Sequence, residues 1–248
     1  PKATIGIALT TTNSTATMPA GTKFTSTVDG VSYQFVTTST VQSTSSGNTV
    51  NFDNTEIFEG TYVTTKYTVD STDTEQRFII TDNRADTTTL NVTVQNSSTD
   101  TFTTTFTKAT DISQLSINSN VYFLQEIEQG RYEVYFGDGV LGKSVADGNI
   151  VIMDYINTNR AEANGATSFA LGGTIGGFSN ATVTTVSNAN GGSNPESISS
   201  IKYNAPRDYT AQDRAVTAED YKVLVKSLYA NAQSVQVYGG EDAEPVAF

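Results

Sequence analysis

The chain has 248 residues, which is long enough to bury a substantial core in one large domain or two smaller ones. It carries 14 Lys and Arg against 26 Asp and Glu, and the formal net charge of −12 argues against nucleic acid or an anionic membrane as a direct partner. It contains neither Cys nor His, which excludes disulfides and thiol nucleophiles and removes the commonest general base, so we expect no enzyme and no metal or cofactor site.

The N-terminal part of the chain predicts short strands separated by polar loops. Thr4–Leu9 alternates apolar and polar residues, as a half-buried strand does. Asp29-Gly30 is a typical two-residue turn, and it predicts a hairpin between Lys23–Val28 and Ser32–Thr37. The stretches rich in Thr, Ser and Asn on either side of this hairpin are predicted to be loops, namely Thr10–Thr17 and Val41–Thr49.

From residue 56 to residue 108, apolar residues alternate with Thr, which is typical of antiparallel strands with one solvent-exposed face. The predicted strands are Thr61–Val69, Gln76–Ile80, Thr88–Val94 and Phe102–Phe106. A further hairpin is predicted between Val121–Glu126 and Tyr132–Phe136, around a turn that contains Gly130.

The glycine-rich stretch after Phe136 matches a nucleotide-binding pattern in letters only. Gly137, Gly142, Lys143 and Ser144 occupy every fixed position of G-x-x-x-x-G-K-[ST]. The mechanism of that motif requires a helix after the loop, whereas Asp147-Gly148-Asn149 is turn chemistry. The next strand also begins too soon for a parallel crossover. We therefore predict an antiparallel hairpin of Tyr132–Phe136 with Ile150–Tyr155. If Gly139 in its connection has a positive φ, a bulky β-branched residue there should damage folding.

Two helices are predicted near the C-terminus. The first has Asn194 as its N-cap and Pro195 at its first helical position, and it ends before Pro206. The second begins with a capping box at Thr217 and has an apolar face with the spacing i, i+3, i+4 and i+7, formed by Tyr221, Leu224, Val225 and Leu228. This face either packs on the sheet of its own chain or makes an intermolecular contact. A last strand is predicted at Ser234–Tyr238.

The segment Tyr203–Val216 between the predicted helices is rich in charged and aromatic residues. It contains Arg207, Asp208, Tyr209, Asp213 and Arg214. These residues could form a carboxylate site, but internal ion pairs that fix a loop are the preferred interpretation, because no substrate-orienting groups accompany the acids.

Several segments resemble the baseplate J-like family of contractile phage tails, and more specifically the wedge proteins of T4-like phages. The most specific are FGDGVLGK at Phe136–Lys143 and NAPRDYTAQDRAVTAEDYKVLV at Asn204–Val225. The segments Met18–Phe24, Asp82–Val94 and Val121–Gly139 are also similar. The resemblance covers most of the chain and indicates the C-terminal, β-rich part of a longer wedge subunit. It assigns a structural role to the motif residues Phe136, Gly137, Asp138, Gly139, Gly142 and Lys143.

The resemblance implies a structural virion protein of the tail baseplate that is assembled in the host cytoplasm. Members of this family self-associate, link neighbouring wedges into a ring around the central hub and rearrange when the tail contracts. The implied partners are a second copy of the chain in a homodimer and other wedge proteins, including the sheath-initiating protein of lysozyme-like fold. Neither nucleic acid nor membrane is expected. The candidate interface residues are Arg207, Asp208, Tyr209, Asp213, Arg214, Tyr221 and Leu224.

Taken together, the patterns predict an α+β fold that is predominantly antiparallel β, with a short helical segment near the C-terminus. We expect a Thr-rich antiparallel β domain at residues 1–120. A baseplate J-like core with the glycine hairpin and the helices is expected at residues 121–248. The alternative function is a receptor-binding or adhesin-like β-rich surface protein, which the acidity and the Thr- and Asn-rich strands would also suit.

Overall fold

The computed structural model describes residues 1–211, 214–229, 232 and 234–239, and these form fifteen β-strands and two α-helices. The strands are β1 Lys2–Thr10, β2 Thr15–Met18, β3 Lys23–Val28, β4 Val31–Val36, β5 Val41–Ser46, β6 Thr49–Glu59, β7 Thr61–Thr68, β8 Phe78–Ile80, β9 Ala85–Gln95, β10 Thr103–Lys108, β11 Val121–Ile127, β12 Arg131–Phe136, β13 Ile150–Asn157, β14 Ala170–Leu171 and β15 Ala181–Asn190. The helices are α1 Ile198–Ala211 and α2 Ala218–Leu228. The predicted α+β class, dominated by antiparallel strands, is confirmed.

The chain divides into two compact units, Pro1–Ser193 with all the strands and Asn194–Phe248 with both helices. This division differs from the predicted boundary after residue 120. The reason is strand pairing across that point, because β10 pairs with β11 and β7 pairs with β13 in one sheet. No helix among the described residues is long and apolar enough to cross a bilayer.

The first sheet contains eight strands in the order β14-β3-β4-β6-β1-β15, with β5 joining β2 to β6. Alternation along β1 places one face in the core, where the buried side chains are Ala3, Ile5, Ile7 and Leu9. The sheet curls around this core, because the segment before β14 bonds to β15. The amide of Gly165 donates to the carbonyl of Ala189 at 2.7 Å, and the amide of Ala189 donates to the carbonyl of Ala166 at 2.9 Å.

Two predicted elements of the first sheet need correction. Val41–Thr49 is not a loop, since Val41–Thr44 of β5 pairs with β2, and the end of β5 pairs with β6 across the turn at Gly47. Thr10–Thr17 likewise overlaps β2. β5 lacks the apolar face that identifies a strand in a sequence, and pairing with its neighbours holds it in place. β2 is short, and its apolar face consists only of Ala16 and Met18, which are buried. The hairpin of β3 with β4 around Asp29-Gly30 is confirmed.

The second sheet contains seven strands in the order β7-β13-β9-β10-β11-β12-β8. The pairings described within it are antiparallel except for that of β10 with β11. The hairpin of β11 with β12 confirms the prediction for the segment around Gly130. Its core contains Val92, Val134 and Met153, and an edge-to-face chain of aromatic rings joins Tyr67, Phe78, Phe136 and Phe106.

A buried carboxylate on β12 is held by an arginine next to the edge strand β8. Glu133 is buried, and both of its oxygens accept from the Arg77 guanidinium, with 2.8 Å between Nε and Oε1. The Tyr135 hydroxyl donates to the same carboxylate at 3.1 Å. The Arg77 hydrogen bonds hold the pKa of Glu133 below its usual value, although burial acts in the opposite direction.

The sign of this pKa shift predicts acid sensitivity. A depressed pKa adds stability above the unfolded-state value, and that stability is lost as the pH falls through the folded-state pKa. We expect Arg77→Gln to lower the free energy of unfolding at pH 7 by about 1–3 kcal/mol. The difference from wild type should be smaller at pH 3, which lies below the unfolded-state pKa of about 4.3, because this contribution is lost as the pH falls from that value through the folded-state pKa. Urea unfolding at the two pH values measures this difference.

The matched control is Lys2→Gln, which removes the exposed ion pair between Lys2 and Glu56. An exposed pair of this kind contributes about 0–1 kcal/mol, so the control should unfold almost as wild type does at both pH values. A deficit of Arg77→Gln that is as large at pH 3 as at pH 7 would show that the pair does not act through the charge of Glu133.

The two sheets meet at Gly60, the single residue between β6 and β7. Glu59, the last residue of β6, is buried and accepts three hydrogen bonds from the segment that follows β13. The donors are the Thr158 hydroxyl at 2.7 Å and the backbone and side-chain amides of Asn159 at 2.9 and 2.7 Å. One carboxylate of the first sheet therefore satisfies three polar groups at the end of the second.

Candidate functional site

The glycine-rich segment 137–149 connects β12 to β13, but these two strands do not pair. The predicted hairpin between them is wrong. Both edges of β12 are occupied by β11 and β8, and both edges of β13 are occupied by β7 and β9. The connection therefore passes across one end of the sheet, and Val145 packs against the core as it does so.

The connection is anchored on the loop between β10 and β11. The amide of Gly142 donates to the carbonyl of Ser116 at 3.2 Å, and the amide of Lys143 donates to the carbonyl of Ser119 at 2.9 Å. The approach is close enough that a Cβ atom on Gly142 would lie 2.9 Å from a methyl group of Val121. The Lys143 side chain itself is exposed.

The tip of the connection is a tight turn closed by Asp138. Its carboxylate accepts from the amides of Val140 at 2.9 Å and Leu141 at 3.0 Å, and these bonds lower the pKa of the Asp138 carboxyl. The amide of Gly139 donates to the carbonyl of Gly142 at 3.2 Å. Gly139 has a φ of +83°, which is the condition under which a β-branched residue is expected to damage folding.

This arrangement differs from a phosphate-binding loop. Such a loop directs free backbone amides at the ligand and continues into a helix. Here the five consecutive amides from residue 139 to residue 143 all donate to oxygen atoms of the protein. Residues 143–149 are not helical. The motif residues thus build a closed turn, and Phe136 before it joins the aromatic chain of the core.

The turn presents two aliphatic side chains to solvent. Val140 is 72% exposed and Leu141 is 46% exposed. Ile117 in the anchoring loop is also exposed, and it follows the residue whose carbonyl binds Gly142. The motifs in the sequence did not single out these residues. The available signal was an adjacent pair of aliphatic residues inside a glycine turn, where polar residues are the usual choice.

The first helix begins at Ile198 instead of the predicted Pro195, and it extends beyond its predicted end. Residues 198–211 are helical, so Pro206 lies inside α1 and Arg207, Asp208 and Tyr209 are helical residues and not part of a connecting loop. The guanidinium of Arg207 donates to the carbonyl of Tyr203 at 2.5 Å and lies 3.6 Å from the centre of its ring. The Thr210 hydroxyl donates to the carbonyl of Pro206, so side chains bind the carbonyls of this turn.

The candidate interface residues lie on different parts of the helical unit. Asp208, Tyr209 and Arg214 are exposed. Asp213 lies outside the described residues. The predicted strand Ser234–Tyr238 is wrong, since residues 234–239 adopt no strand. That prediction relied on alternation alone, and no partner strand pairs with this segment among the described residues.

The second helix begins as predicted. The hydroxyl of Thr217 accepts from the amide of Asp220 at 3.2 Å, and the Asp220 carboxylate accepts from the amide of Thr217 at 2.9 Å. This capping box is confirmed even though Asp is shorter than the usual Glu. The bonds from the Thr217 backbone lower the pKa of Asp220.

The apolar face of α2 is not buried. Tyr221 is 48% exposed and Leu228 is 83% exposed, while Leu224 is half-buried. None of the described residues from 194 to 239 is buried. Isolated helices of this length are marginal in water, because most helical stability in proteins comes from packing of an apolar face. Among the described residues, this face of the helical unit is therefore left exposed, as faces that contact other proteins are.

Comparison of the sequence with known proteins finds matches to one family. Residues 62–167, which span almost all of the second sheet, match the family model described as bacteriophage baseplate wedge protein gp6, third domain. Residues 217–248, which begin at the cap of α2, match the model described as baseplate structural protein gp6, C-terminal domain I. The two ranges together cover more than half of the chain.

A curated relative agrees with the family models. The chain is 28% identical over 156 residues to the baseplate wedge protein gp6 of Enterobacteria phage T4. The match covers 52% of this chain and 23% of that protein, so the chain spans about a quarter of the length of this relative. The two models and this relative agree, and the chain belongs to the baseplate wedge protein gp6 family of T4-like bacteriophages.

Proposed function

We propose that the chain is a structural component of the tail baseplate that self-associates through its helical unit, as a homodimer, and so links neighbouring wedges into a ring around the central hub. Family membership supports the wedge role. The observation that carries self-association is the exposed apolar face of α2 in a unit where no described residue is buried. A second copy supplies the missing packing surface with the same face, as a two-fold symmetric contact requires.

Other wedge proteins, including the sheath-initiating protein of lysozyme-like fold, are further partners in this proposal. The site is the baseplate of the virion, with assembly in the host cytoplasm and rearrangement when the tail contracts. The packing of the helices in a unit separate from the strand-rich unit supports such a rearrangement. The occupied amides of the glycine turn favour a structural role for the family motif over catalysis.

Polar substitution of the α2 face tests self-association. Tyr221→Ser combined with Leu224→Ser is expected to raise the dissociation constant by at least about tenfold. Each substitution removes an apolar side chain that would contribute about 1.5–3 kcal/mol if the contact covered it fully. Sedimentation equilibrium over a range of concentrations measures the shift. Circular dichroism of the same samples shows whether the helices persist.

The matched control is Lys226→Ser, which lies roughly 140° around α2 from Tyr221, away from the apolar face. It should associate as wild type does. Loss of helix in the Tyr221 and Leu224 variant under conditions where it stays monomeric would mean that this face supports the fold of the chain, and the contact proposal would then fail.

A further inference from the structure

Two Asn-Gly dipeptides occur in the chain, and their neighbouring residues are nearly the same. They are Asn164-Gly165 and Asn190-Gly191, and an alanine precedes each asparagine. An asparagine side chain loses its amide most readily before glycine, because glycine has no Cβ atom to hinder the attack of its backbone nitrogen on that side chain. The sequence therefore predicts the same reactivity at both sites, and a difference between them has to come from the fold.

The fold holds the side chain of Asn164 in place. Its amide donates to the carbonyl of Gly192 at 2.7 Å, and its oxygen accepts from the amide of Gly192 at 3.0 Å. These two bonds are here called the clamp. The nitrogen that would attack Asn164 is also engaged, since the amide of Gly165 donates to the carbonyl of Ala189 at 2.7 Å. All three bonds oppose a reaction at Asn164.

Asn190 is much less restrained. It is the exposed last residue of β15, and among the described residues the one hydrogen bond of its side chain is a long contact of 3.5 Å with the carbonyl of Asn188. No described residue accepts a hydrogen bond from the amide of Gly191. No described atom lies within 4 Å of the place that a Cβ atom on Gly191 would take, so the surroundings do not block a rearrangement there.

We propose that Asn190 deamidates spontaneously through a succinimide. The backbone nitrogen of Gly191 loses its proton and attacks Cγ of Asn190, and ammonia leaves as the C–N bond of the side-chain amide breaks. Water then opens the ring. Attack of water on the main-chain carbonyl carbon gives isoaspartate, in which the main chain runs through Cβ and Cγ and gains a methylene group. Attack on Cγ gives ordinary aspartate. Either product replaces a neutral amide with a carboxylate.

The extra methylene group of isoaspartate releases the clamp in this proposal. The main chain is lengthened between Asn190, which pairs with β1, and Gly192, which the clamp holds. Gly192 has no room to shift within its site, because a Cβ atom there would lie 2.3 Å from the carbonyl oxygen of Arg160. β15 pairs with β1 along its length, whereas the clamp depends on the single side chain of Asn164, so the clamp is the weaker of the two restraints.

Timed incubation of the whole folded chain at pH 8 tests the proposal, with deamidation at each asparagine counted by peptide mapping and mass spectrometry. We expect Asn190 to react at least about tenfold faster than Asn164, since the bonds at Asn164 must break first. The reaction at Asn190 should be slower at pH 6, because the attacking nitrogen has to lose its proton. The matched control is the same chain unfolded in guanidinium chloride, where both dipeptides should react at similar rates.

Hydrogen exchange tests the clamp in the isoaspartate form, after its separation from the unmodified chain by ion exchange. The amide of Gly192 should exchange faster than in the unmodified chain, while that of Ile7 in the middle of β1 should not change. Equal rates at Asn190 and Asn164 in the folded chain, or a faster rate at Asn164, would overturn the proposed site. Unchanged exchange at Gly192 would overturn the release of the clamp. Neither measurement depends on a second copy, so the proposed self-association is tested independently.

Discussion

Gly137→Ala is expected to destabilise the strand-rich unit by about 3 kcal/mol or more. A Cβ atom at this position would overlap the carbonyl group of Gly142 and lie 2.5 Å from the carbonyl oxygen of Leu141. The obstacle is backbone, which cannot rotate away as a side chain would. The turn would have to open, and the bonds that anchor it on Ser116 and Ser119 would be lost with it. Urea unfolding followed by circular dichroism measures the loss.

Three further substitutions separate this steric cause from a general sensitivity of the loop. Lys143→Ala should change stability by less than about 0.5 kcal/mol, because the side chain is exposed. Gly139→Val should cost about 1–2 kcal/mol, since a β-branched residue must then adopt a φ of +83°. Gly173→Ala should be nearly neutral, because nothing lies within 4 Å of the place that its new Cβ atom would take. If Gly137→Ala unfolds at the same urea concentration as Lys143→Ala, the close approach of Gly137 to Gly142 does not exist in solution.

The turn, the helix cap and the strand period could be predicted from the sequence because residues close together in the chain determine them. Asp29-Gly30 determines its turn through the conformations that these two residues allow, and both have positive φ in the structure. The capping box at Thr217 involves residues three apart. The strand period along β1 follows directly from which side chains are apolar. Each of these predictions needed no knowledge of what packs nearby.

Strand pairing depended on partners that are distant in sequence. The spacing correctly argued against a parallel crossover with a helix, but proximity in sequence then suggested that β12 and β13 pair. Each strand instead has two neighbours that come from elsewhere in the chain. The polar strand β5 was missed for the same reason, since only β2 and β6 hold it in place.

The candidate interface could be predicted in part. The helical period of α2 identified an apolar face, although the period cannot show whether that face is covered. The continuation of α1 past Pro206 could not be predicted, because a proline normally ends a helix. The exposed pair Val140 and Leu141 was not singled out, because the glycines and Lys143 of the motif drew the comparison with phosphate loops while this pair occupies variable positions.

Glu59→Ala is expected to lower the free energy of unfolding by about 3 kcal/mol, because three donors at Thr158 and Asn159 lose their acceptor in a buried site. Glu59 also bridges the two sheets, so its loss should weaken their coupling. We expect a lower midpoint in urea and a smaller dependence of stability on urea concentration, as occurs when parts of a protein no longer unfold together.

Glu56→Ala is the matched control, since Glu56 lies on the same strand but is exposed and forms its ion pair with the exposed Lys2. It should cost less than about 1 kcal/mol and leave the urea dependence unchanged. Glu59→Gln separates acceptor chemistry from packing, because the amide keeps the volume but turns one acceptor into a donor that faces other donors. It should therefore be clearly less stable than wild type. A Gln variant as stable as wild type would mean that the side chain only fills space and that its hydrogen bonds to Thr158 and Asn159 do not couple the sheets.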